Sequence, residues 1–334
     1  MILITGGTGL LGAHLLVDLV KAGHKVRALK RESSNLDVVE KTFKLYAPDY
    51  SFRDSVEWII GDIRDIFSLY EALEGVEYIY HCAALVSFNP KYRDLMMEVN
   101  GTGTANLMNA ALEKKVKKVC HVSSVAALGK TVQDDPISEE NWWKNAPENT
   151  GYAISKYSAE REAWRAAEEG LDLVIVNPSV ILGSGDWSKG SAGIISTAYK
   201  GMKFFATGIT GFVDVRDVSK CMIKLMEGSF NHQRYIISSE NVNFKDLFNL
   251  LHDNFGKKRP TIKAGKFLRA LTWRTEFVRS LFTGSVPLIT RETANASAST
   301  VLYSNEKIRK HLNFEFIPVA QTIKEICQEF IKEK

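Results

Sequence analysis

Short runs of β-branched and aromatic residues alternate with helical patterns of apolar residues over residues 1–180. This alternation is typical of βαβ units, whose parallel strands are covered on both faces. Strands are predicted over residues 1–5, 25–30, 56–60, 77–82, 117–123 and 172–177, and helices over 10–22, 65–73, 99–115 and 152–168. The order predicts an α/β fold with a doubly wound parallel sheet and a ligand crevice beyond the carboxyl ends of the strands.

The pattern changes after Gly183, where loop-like stretches rich in Gly and Ser replace the regular alternation. Residues 212–227 predict a strand and a helix, residues 234–238 predict an apolar strand, and we expect both segments to return to the main sheet. The remainder is mostly helical by pattern and predicts a smaller cap over the crevice. The predicted domains are therefore a sheet domain over 1–182, joined again by 212–238, and a cap over 183–211 and 239–334.

One segment of the cap, residues 266–282, alternates apolar residues with Arg269, Arg274 and Arg279. A basic amphipathic helix of this kind can lie on a membrane surface. A helix that closes its apolar stripe over a substrate pocket has the same pattern. We favour the second interpretation, which hints at an apolar substrate, and the first stays open.

Composition narrows the function classes. The chain has 334 residues, 45% of them hydrophobic, and a net charge of +4 that forms no basic arm, so no nucleic-acid partner is expected. Four cysteines at positions 82, 120, 221 and 327 have no metal-ligand or disulfide spacing, which predicts no metal site and a cytoplasmic location. The first residues leave no room for a signal sequence, and no apolar stretch approaches ~20 residues, so no stable membrane insertion is expected.

A glycine-rich segment follows the first predicted strand and opens the first predicted helix. It consists of Gly6, Gly7, Thr8, Gly9, Leu10, Leu11 and Gly12, with three glycines spaced three apart. A tight turn at this place brings backbone N–H groups against a pyrophosphate, so the whole segment is predicted to bind a dinucleotide. Ala83 and Ala84, after the fourth strand, are small enough to let the backbone approach the same ligand.

The end of the second strand discriminates between dinucleotides. An acidic residue there would bind a free ribose 2′-hydroxyl, whereas a basic residue accommodates a 2′-phosphate. The chain has Lys30 and Arg31 at this place, which favours NADP over NAD as the cofactor. Asp62, after the third strand, can accept a hydrogen bond from the adenine amino group.

The candidate catalytic residues are Ser124, Tyr152 and Lys156. Tyr-x-x-x-Lys occurs three times, also as Tyr199/Lys203 and Tyr303/Lys307, but only the first pair follows a Ser at a strand end and precedes the last strand. Reduction of a carbonyl leaves an alkoxide that needs a proton. Tyr152 is the candidate proton donor. A nearby ammonium on Lys156 would lower the pKa of the Tyr152 phenol and would also hold the nicotinamide ribose. Ser124 would donate a hydrogen bond that fixes the substrate oxygen.

Together these segments resemble the extended short-chain dehydrogenase/reductase superfamily, often labelled NAD-dependent epimerase/dehydratase. The resemblance covers nearly the whole chain and rests on segments 5–12, 61–65, 81–84, 100–102, 123–124, 152–156 and 177–180. It implies a Rossmann fold, an NAD(P)-dependent oxidoreductase, and a cap that shapes the pocket of a small-molecule substrate. It also places Asn100 as support for the active site, Ile63 beside the cofactor, and Pro178 and Val180 beside the nicotinamide.

Within this superfamily, residues 26–31 and 212–218 are most similar to the dihydroflavonol-reductase and hydroxysteroid-dehydrogenase-like branch. Nucleotide-sugar epimerases usually carry a basic residue just before the second segment, and residues 207–211 have none. An epimerase or dehydratase with permanently held NAD remains an alternative, as does a regulatory protein that binds NADP without turnover. The resemblance also implies a homodimer paired through the helices at 99–115 and 152–168.

Overall fold

The computed structural model describes residues 1–129, 135–265, 273–274 and 290–334. The strands are β1 (Ile2–Thr5), β2 (Val26–Lys30), β3 (Val56–Ile60), β4 (Tyr78–His81), β5 (Lys118–Val122), β6 (Leu173–Pro178), β7 (Val180–Leu182), β8 (Phe204–Phe205), β9 (Ile209–Asp214), β10 (Gln233–Ile237), β11 (Glu240–Asn243) and β12 (Ile262–Lys263).

The helices begin with α1 (Leu10–Lys21), α2 (Asp37–Tyr46), α3 (Phe52–Ser55), α4 (Ile66–Ala72), α5 (Arg93–Met96), α6 (Gly103–Glu113) and α7 (Gly151–Glu168). They continue with α8 (Ala192–Lys200), α9 (Val215–Glu227), α10 (Phe244–Asn254), α11 (Arg291–Ala296), α12 (Glu306–Leu312) and α13 (Val319–Lys332). Short 3-10 turns lie at Pro90–Tyr92 and Val125–Ala127, and a π-helical turn at Met97–Thr102 joins α5 to α6.

Seven strands form one parallel sheet in the order β10-β6-β5-β4-β1-β2-β3. Apolar side chains of β1, β5 and β6 are buried on both faces, as a sheet covered on both sides requires. One core cluster packs α1, α2 and α9 against one face, and a second packs α4, α6 and α7 against the other. The predicted doubly wound α/β fold is therefore confirmed.

The segment after Gly183 returns to this sheet only in part. Strand β10 pairs with β6 at the sheet edge and α9 packs against α1. Strand β9, however, was predicted for the main sheet and instead pairs with β7 and β11 in a separate three-stranded sheet. The reason lies in its burial: Phe212 on β9 is fully buried in a third apolar cluster with α8, α10 and α13, so its hydrophobic face is satisfied within the cap.

The described part of the cap is mainly helical and is built around this third cluster. Leu251 of α10, Ile323 of α13 and Ile195 of α8 form its centre. The predicted helix 266–282 lies outside the described residues, apart from Trp273 and Arg274. Across the described ranges, no helix is long and apolar enough to cross a membrane.

Candidate active site

The carboxyl ends of the parallel strands gather the predicted site residues at one edge of the sheet. Gly6 follows β1, Lys30 ends β2, Asp62 follows β3, Ala83 follows β4, and Ser124 follows β5. Residues that are far apart in the sequence therefore surround one crevice.

Helix α7 brings Tyr152 and Lys156 to this edge, one helical turn apart. The helix begins after Thr150, whose hydroxyl caps a backbone N–H of the first turn at 3.0 Å. Tyr152 is hydrogen-bonded to Ser124. The Lys156 ammonium donates to the carbonyl of Val122, at the end of β5, at 2.8 Å. The structure thus brings together the three predicted catalytic side chains.

The pKa of Tyr152 differs from the sequence-based expectation. Burial raises the pKa of its phenol, and only the hydrogen bond with Ser124 acts in the opposite direction. The expected lowering by Lys156 is not found in this structure, because the ammonium is directed to the Val122 carbonyl and not to the phenol. Near neutral pH Tyr152 is therefore protonated, which is the form that a proton donor needs.

Burial has the opposite effect on the Lys156 side chain. It lowers the pKa of the ammonium to about 8, because the charged form is penalised in an apolar environment. Cys82 and Glu160 partly counteract this shift. Lys156 is thus charged at neutral pH but close to its titration point.

Glu160 is a buried carboxylate that the sequence patterns did not single out. It lies one turn beyond Lys156 on α7 and is almost fully buried. Its carboxylate accepts hydrogen bonds from the Ser123 hydroxyl at 2.5 Å and the Asn177 amide at 2.8 Å, and it pairs with Arg234 at 3.0 Å. The carboxylate therefore joins α7 to β5, β6 and β10.

Asn177 extends this network to Ser124, the predicted catalytic serine. Its amide also donates to the carbonyl of Ser124 at 3.0 Å, which fixes the backbone that carries the serine hydroxyl. Helical spacing offers the signal that could have found the network. Glu160 stands four positions after Lys156, between the buried Ala159 and Ala163, and a charge on such a face needs partners.

Asn100 supports the site through the π-helical turn. Its amide bonds both the N–H and the carbonyl of Leu85, at 2.7 and 2.9 Å, and donates to the Ser155 hydroxyl at 2.9 Å. Sequence periodicity predicted one continuous helix over 99–115, and the wider turn at 97–102 replaces its start. π-turns of this kind are frequent at functional sites. Here it lies between the loop after β4 and α7.

The glycine-rich segment fits a dinucleotide. Gly6 has φ +72°, which favours glycine, and a Cβ there would lie 2.5 Å from the N–H nitrogen of Ala83. A Cβ at Gly12 would collide with the carbonyl of Gly6. Helix α1 begins after Gly9, which supplies no side-chain cap, and its first turn has no acidic residue. The free N–H groups and positive helix end suit a pyrophosphate.

The other residues of the glycine-rich segment, and Ile63, differ in how far their side chains are buried. Leu11 is buried in the core, and so is Ile63, so both can reach a ligand only through the backbone. Leu10 packs near Gly183 and Gly185, which precede the cap helices. Gly7 is buried against α1, whereas Thr8 remains partly exposed.

Lys30 and Arg31 lie at the sheet edge with free side chains. Lys30 is half-buried and Arg31 is exposed, and within the described chain neither forms an ion pair. Asp62 instead forms an ion pair with Arg64 at 2.8 Å, and this contact, followed by smaller effects that include Arg31, lowers the pKa of its carboxyl. The two free cations can therefore meet an anionic ligand group.

The remaining predicted residues frame the crevice. Ala83 and Ala84 are half-buried in the loop after β4, and the N–H of Ala83 bonds the Thr5 hydroxyl at 3.3 Å. Pro178 is buried at the end of β6, and Val180 begins β7 half-buried. In the described segments, no cluster of His, Cys, Asp and Glu is arranged to hold a metal ion.

A family model matches this chain over most of the sheet domain. The NAD dependent epimerase/dehydratase family matches residues 2–238. Sterol demethylase protein B of Methylococcus capsulatus is 34% identical over 263 residues, covering 78% of this chain and 76% of that protein. A putative dihydroflavonol 4-reductase of Synechocystis is 29% identical over 335 residues, covering 98% and 93% of the two chains.

Solved structures show the same architecture. The structure of gox2253 is 29% identical, has a TM-score of 0.80 and covers 100% of this chain and 98% of its own. UDP-glucose 4-epimerase of Thermotoga maritima, solved with UDP-glucose, has a TM-score of 0.77 at 19% identity and covers 99% of each chain. At that identity the likeness shows the fold alone.

The lowered pKa of Lys156 predicts a pH dependence of dinucleotide binding. The ammonium is lost as the pH rises through about 8, so NADPH affinity should fall above that pH, approaching about tenfold per pH unit. Fluorescence titration of NADPH between about pH 7 and pH 9.5 measures it. Lys156→Met should bind weakly with a flat profile in this range. A flat profile in the wild type would contradict the assignment of Lys156 to the cofactor.

Proposed function

This chain belongs to the NAD dependent epimerase/dehydratase family, and we propose that within it the protein is an NADP(H)-dependent oxidoreductase. It would interconvert a carbonyl and an alcohol on a small, apolar substrate. The observation that carries this proposal is the hydrogen bond between Tyr152 and Ser124, with Lys156 one helical turn along. These residues are the ones that proton transfer to a substrate oxygen requires.

The chemistry assigns a separate task to each side chain. Bound NADP(H) supplies or accepts the hydride at the substrate carbon. In the direction of reduction, the Tyr152 phenol gives its proton to the substrate oxygen as the C–O bond becomes single. Ser124 donates a hydrogen bond to the same oxygen and so stabilises the charge that develops there. The Lys156 ammonium, which donates to the Val122 carbonyl, would hold the nicotinamide ribose.

An apolar substrate is supported by the side chains beside Tyr152. Phe88 packs its ring edge against the Tyr152 ring at a centroid distance of 5.6 Å, and Val86 nearby is 58% exposed. On the Ser124 side, Val125 packs against a small apolar cluster to which Tyr303 also packs. The names of the curated relatives, a sterol demethylase protein and a dihydroflavonol reductase, agree with a ring compound bearing an oxygen.

NADP is proposed as the cofactor because Lys30 and Arg31 are free at the end of β2. A ribose 2′-phosphate would meet two cations there, and Lys30 stands where an acidic residue would bind a free 2′-hydroxyl. The exposed Arg31 can form a bidentate contact, which favours phosphate over hydroxyl.

A nucleotide-sugar epimerase or dehydratase is the alternative within the family. It would keep NAD bound and return the hydride to the same molecule, so it would need no net redox partner. Residues 207–211 carry no cation for a sugar nucleotide, which favours the reductase. A non-catalytic NADP-binding role is disfavoured by the complete set of Ser124, Tyr152 and Lys156. The nucleotide that co-purifies with the protein discriminates these cases. Tightly held NAD would indicate an epimerase, whereas exchangeable NADPH would indicate a reductase.

The parts of the chain have separate proposed roles. Residues 1–182 with 212–238 would bind the dinucleotide, and residues 183–211 with 239–334 would bind the substrate. A cytoplasmic location agrees with the four cysteines, all free thiols.

We also propose a homodimer through α6 and α7. These helices are neighbours, and Leu95, Val99 and Ile154 remain partly exposed on and before them. An isologous interface would cover such residues symmetrically. Light scattering at micromolar concentration should give twice the chain mass, and a monomer mass would contradict the dimer.

Replacing Tyr152 by Phe should abolish proton transfer while leaving the fold intact. The change keeps the ring against Phe88 and removes only the hydroxyl. Turnover at saturating NADPH should fall by roughly 10²–10⁴, whereas NADPH affinity should change little. The measurement needs an aldehyde or ketone panel to find a working substrate.

Tyr199→Phe is the matched control for this variant. Tyr199 also has a lysine four positions later, but its ring packs against Phe255 and Phe330 in the cap. Removal of its hydroxyl should therefore leave turnover within a few-fold of the wild-type value. Tyr303 is less suitable as a control, because it packs against the same small apolar cluster as Val125, the residue after Ser124. Wild-type turnover in Tyr152→Phe, or a larger loss in Tyr199→Phe, would refute the assignment.

Arg31→Ala should narrow the preference for NADPH over NADH. Loss of a charge-assisted phosphate contact should cost about 1.5–3 kcal/mol for NADPH and little for NADH. Titration of both cofactors against wild type and variant measures the difference. Arg53→Ala, which removes an arginine elsewhere on the surface, should change neither affinity. Equal affinities of the wild type for the two cofactors would overturn the NADP proposal.

A further inference from the structure

Segment 183–187, which follows β7, passes against the first residue of α1. A Cβ at Gly183 would lie 3.1 Å from the Leu10 side chain and 2.6 Å from that of Val215. A Cβ at Gly185 would lie 3.2 Å from Leu10. Both glycines are buried, so the absence of a side chain lets this backbone approach Leu10 closely. Because Leu10 begins the helix whose free N–H groups suit a pyrophosphate, the segment lies beside the proposed dinucleotide site.

A carboxylate just after α13 binds this segment to α2. One oxygen of Glu333 pairs with the Lys41 ammonium at 2.7 Å, and the other accepts a hydrogen bond from the Trp187 indole at 2.7 Å. The same ammonium lies 3.9 Å from the Trp187 ring centre and donates to the Gly185 carbonyl at 3.2 Å. Lys41, Trp187 and Glu333 therefore contact one another in a closed triangle.

A second carboxylate repeats this arrangement four residues earlier on α13. One oxygen of Glu329 accepts a hydrogen bond from the Tyr46 hydroxyl at the end of α2, at 2.9 Å, and the other accepts one from the Ser184 hydroxyl. Ser184 is buried, so its hydroxyl needs such a partner. The side chains of Lys41, Tyr46, Glu329 and Glu333 are called the clasp below. They hold segment 183–187 between α2 and α13.

The clasp differs from an ordinary surface ion pair. An isolated exposed pair contributes little, because water screens the charges and fixing two long side chains costs entropy. The Lys41 side chain is 19% exposed, and it makes its three contacts at the same time. Hydrogen bonds that share partners in a partly buried network strengthen one another. Loss of the Lys41 ammonium would therefore release Trp187 and the Gly185 carbonyl together.

We propose that Lys41 and Glu333 are positioning residues that retain the dinucleotide by holding segment 183–187 against the start of α1. This role rests on the proposed dinucleotide binding and concerns the release of the cofactor. The clasp would act through the backbone of the segment and not by touching the cofactor. A segment that is held in place would have to move before the pyrophosphate side of the cofactor could leave. Weakening the clasp should therefore raise the dissociation rate more than it changes the association rate.

Stopped-flow displacement tests the proposal. The full-length protein is loaded with NADPH and mixed with excess NADP⁺, and the change in NADPH fluorescence gives the dissociation rate. Lys41→Met keeps the length of the side chain and removes its charge, so the rate should rise about tenfold or more. Lys41→Arg keeps a cation and should restore most of the slow release. Adding Glu333→Gln to Lys41→Met should change the rate by less than about twofold, because both residues act through one contact.

The same helix supplies a matched control. Lys44 of α2 pairs with Glu40 at 2.8 Å on the exposed surface, and Lys44→Met should release NADPH within about twofold of the wild-type rate. A second control uses adenosine 2′-monophosphate, which lacks the pyrophosphate and the nicotinamide. Its affinity should be the same for the wild type and Lys41→Met, whereas general loosening of the sheet domain would weaken it too.

Two results would overturn the role of the clasp: unchanged NADPH release from Lys41→Met, or an equal loss of affinity for adenosine 2′-monophosphate. Failure of the proposed cofactor is a separate result, because NADH also contains the pyrophosphate and is measured in parallel. A wild type that binds NADH but not NADPH would refute the choice of NADP, and the release of NADH from Lys41→Met would then decide on the clasp. A wild type that binds neither dinucleotide would refute both proposals.

Discussion

A buried carboxylate on α7 holds this helix to the main sheet. Glu160 on α7 is bound by Ser123 after β5, by Asn177 on β6 and by Arg234 on β10. A charge removed from water is tolerated only when it is paired and hydrogen-bonded, so these elements share one relative position. Because Asn177 also binds the carbonyl of Ser124, the same network sets the serine beside the tyrosine of α7.

Burial shifts the pKa values of Tyr152 and Lys156 in opposite directions. It keeps the Tyr152 phenol protonated, and it brings the Lys156 ammonium close to its titration point. A negative ligand beside Lys156 would favour its charged form. Protonation of the lysine would therefore be coupled to binding of the proposed anionic dinucleotide.

The sheet and the position of the site could be predicted from sequence because both depend on local patterns. Six of the seven strands of the main sheet show as apolar runs before residue 180, and parallel strands necessarily direct their carboxyl ends to one edge. The glycine turn was equally predictable, because Gly6 has a positive φ and a Cβ at Gly12 would collide with the carbonyl of Gly6 within the same segment. Strand, turn and helix start follow one another within twelve residues.

What could not be predicted depends on contacts between distant segments. Strand β9 has the same alternation whether it joins the main sheet or the small one, and only the burial of Phe212 in the cap decides between them. The π-helical turn around Asn100 keeps the apolar periodicity of a helix. The direction of the Tyr152 pKa shift depends on where the Lys156 ammonium is directed, and residue spacing alone leaves that open.

The third apolar cluster connects segments that are far apart in the sequence. Val180, at the edge of the proposed substrate crevice, and Phe205 of β8 both pack against it. Because protein interiors are close-packed, a change of volume within this cluster affects both segments. The side chains that border the crevice therefore depend on the packing of the cap as well as on the strands of the main sheet.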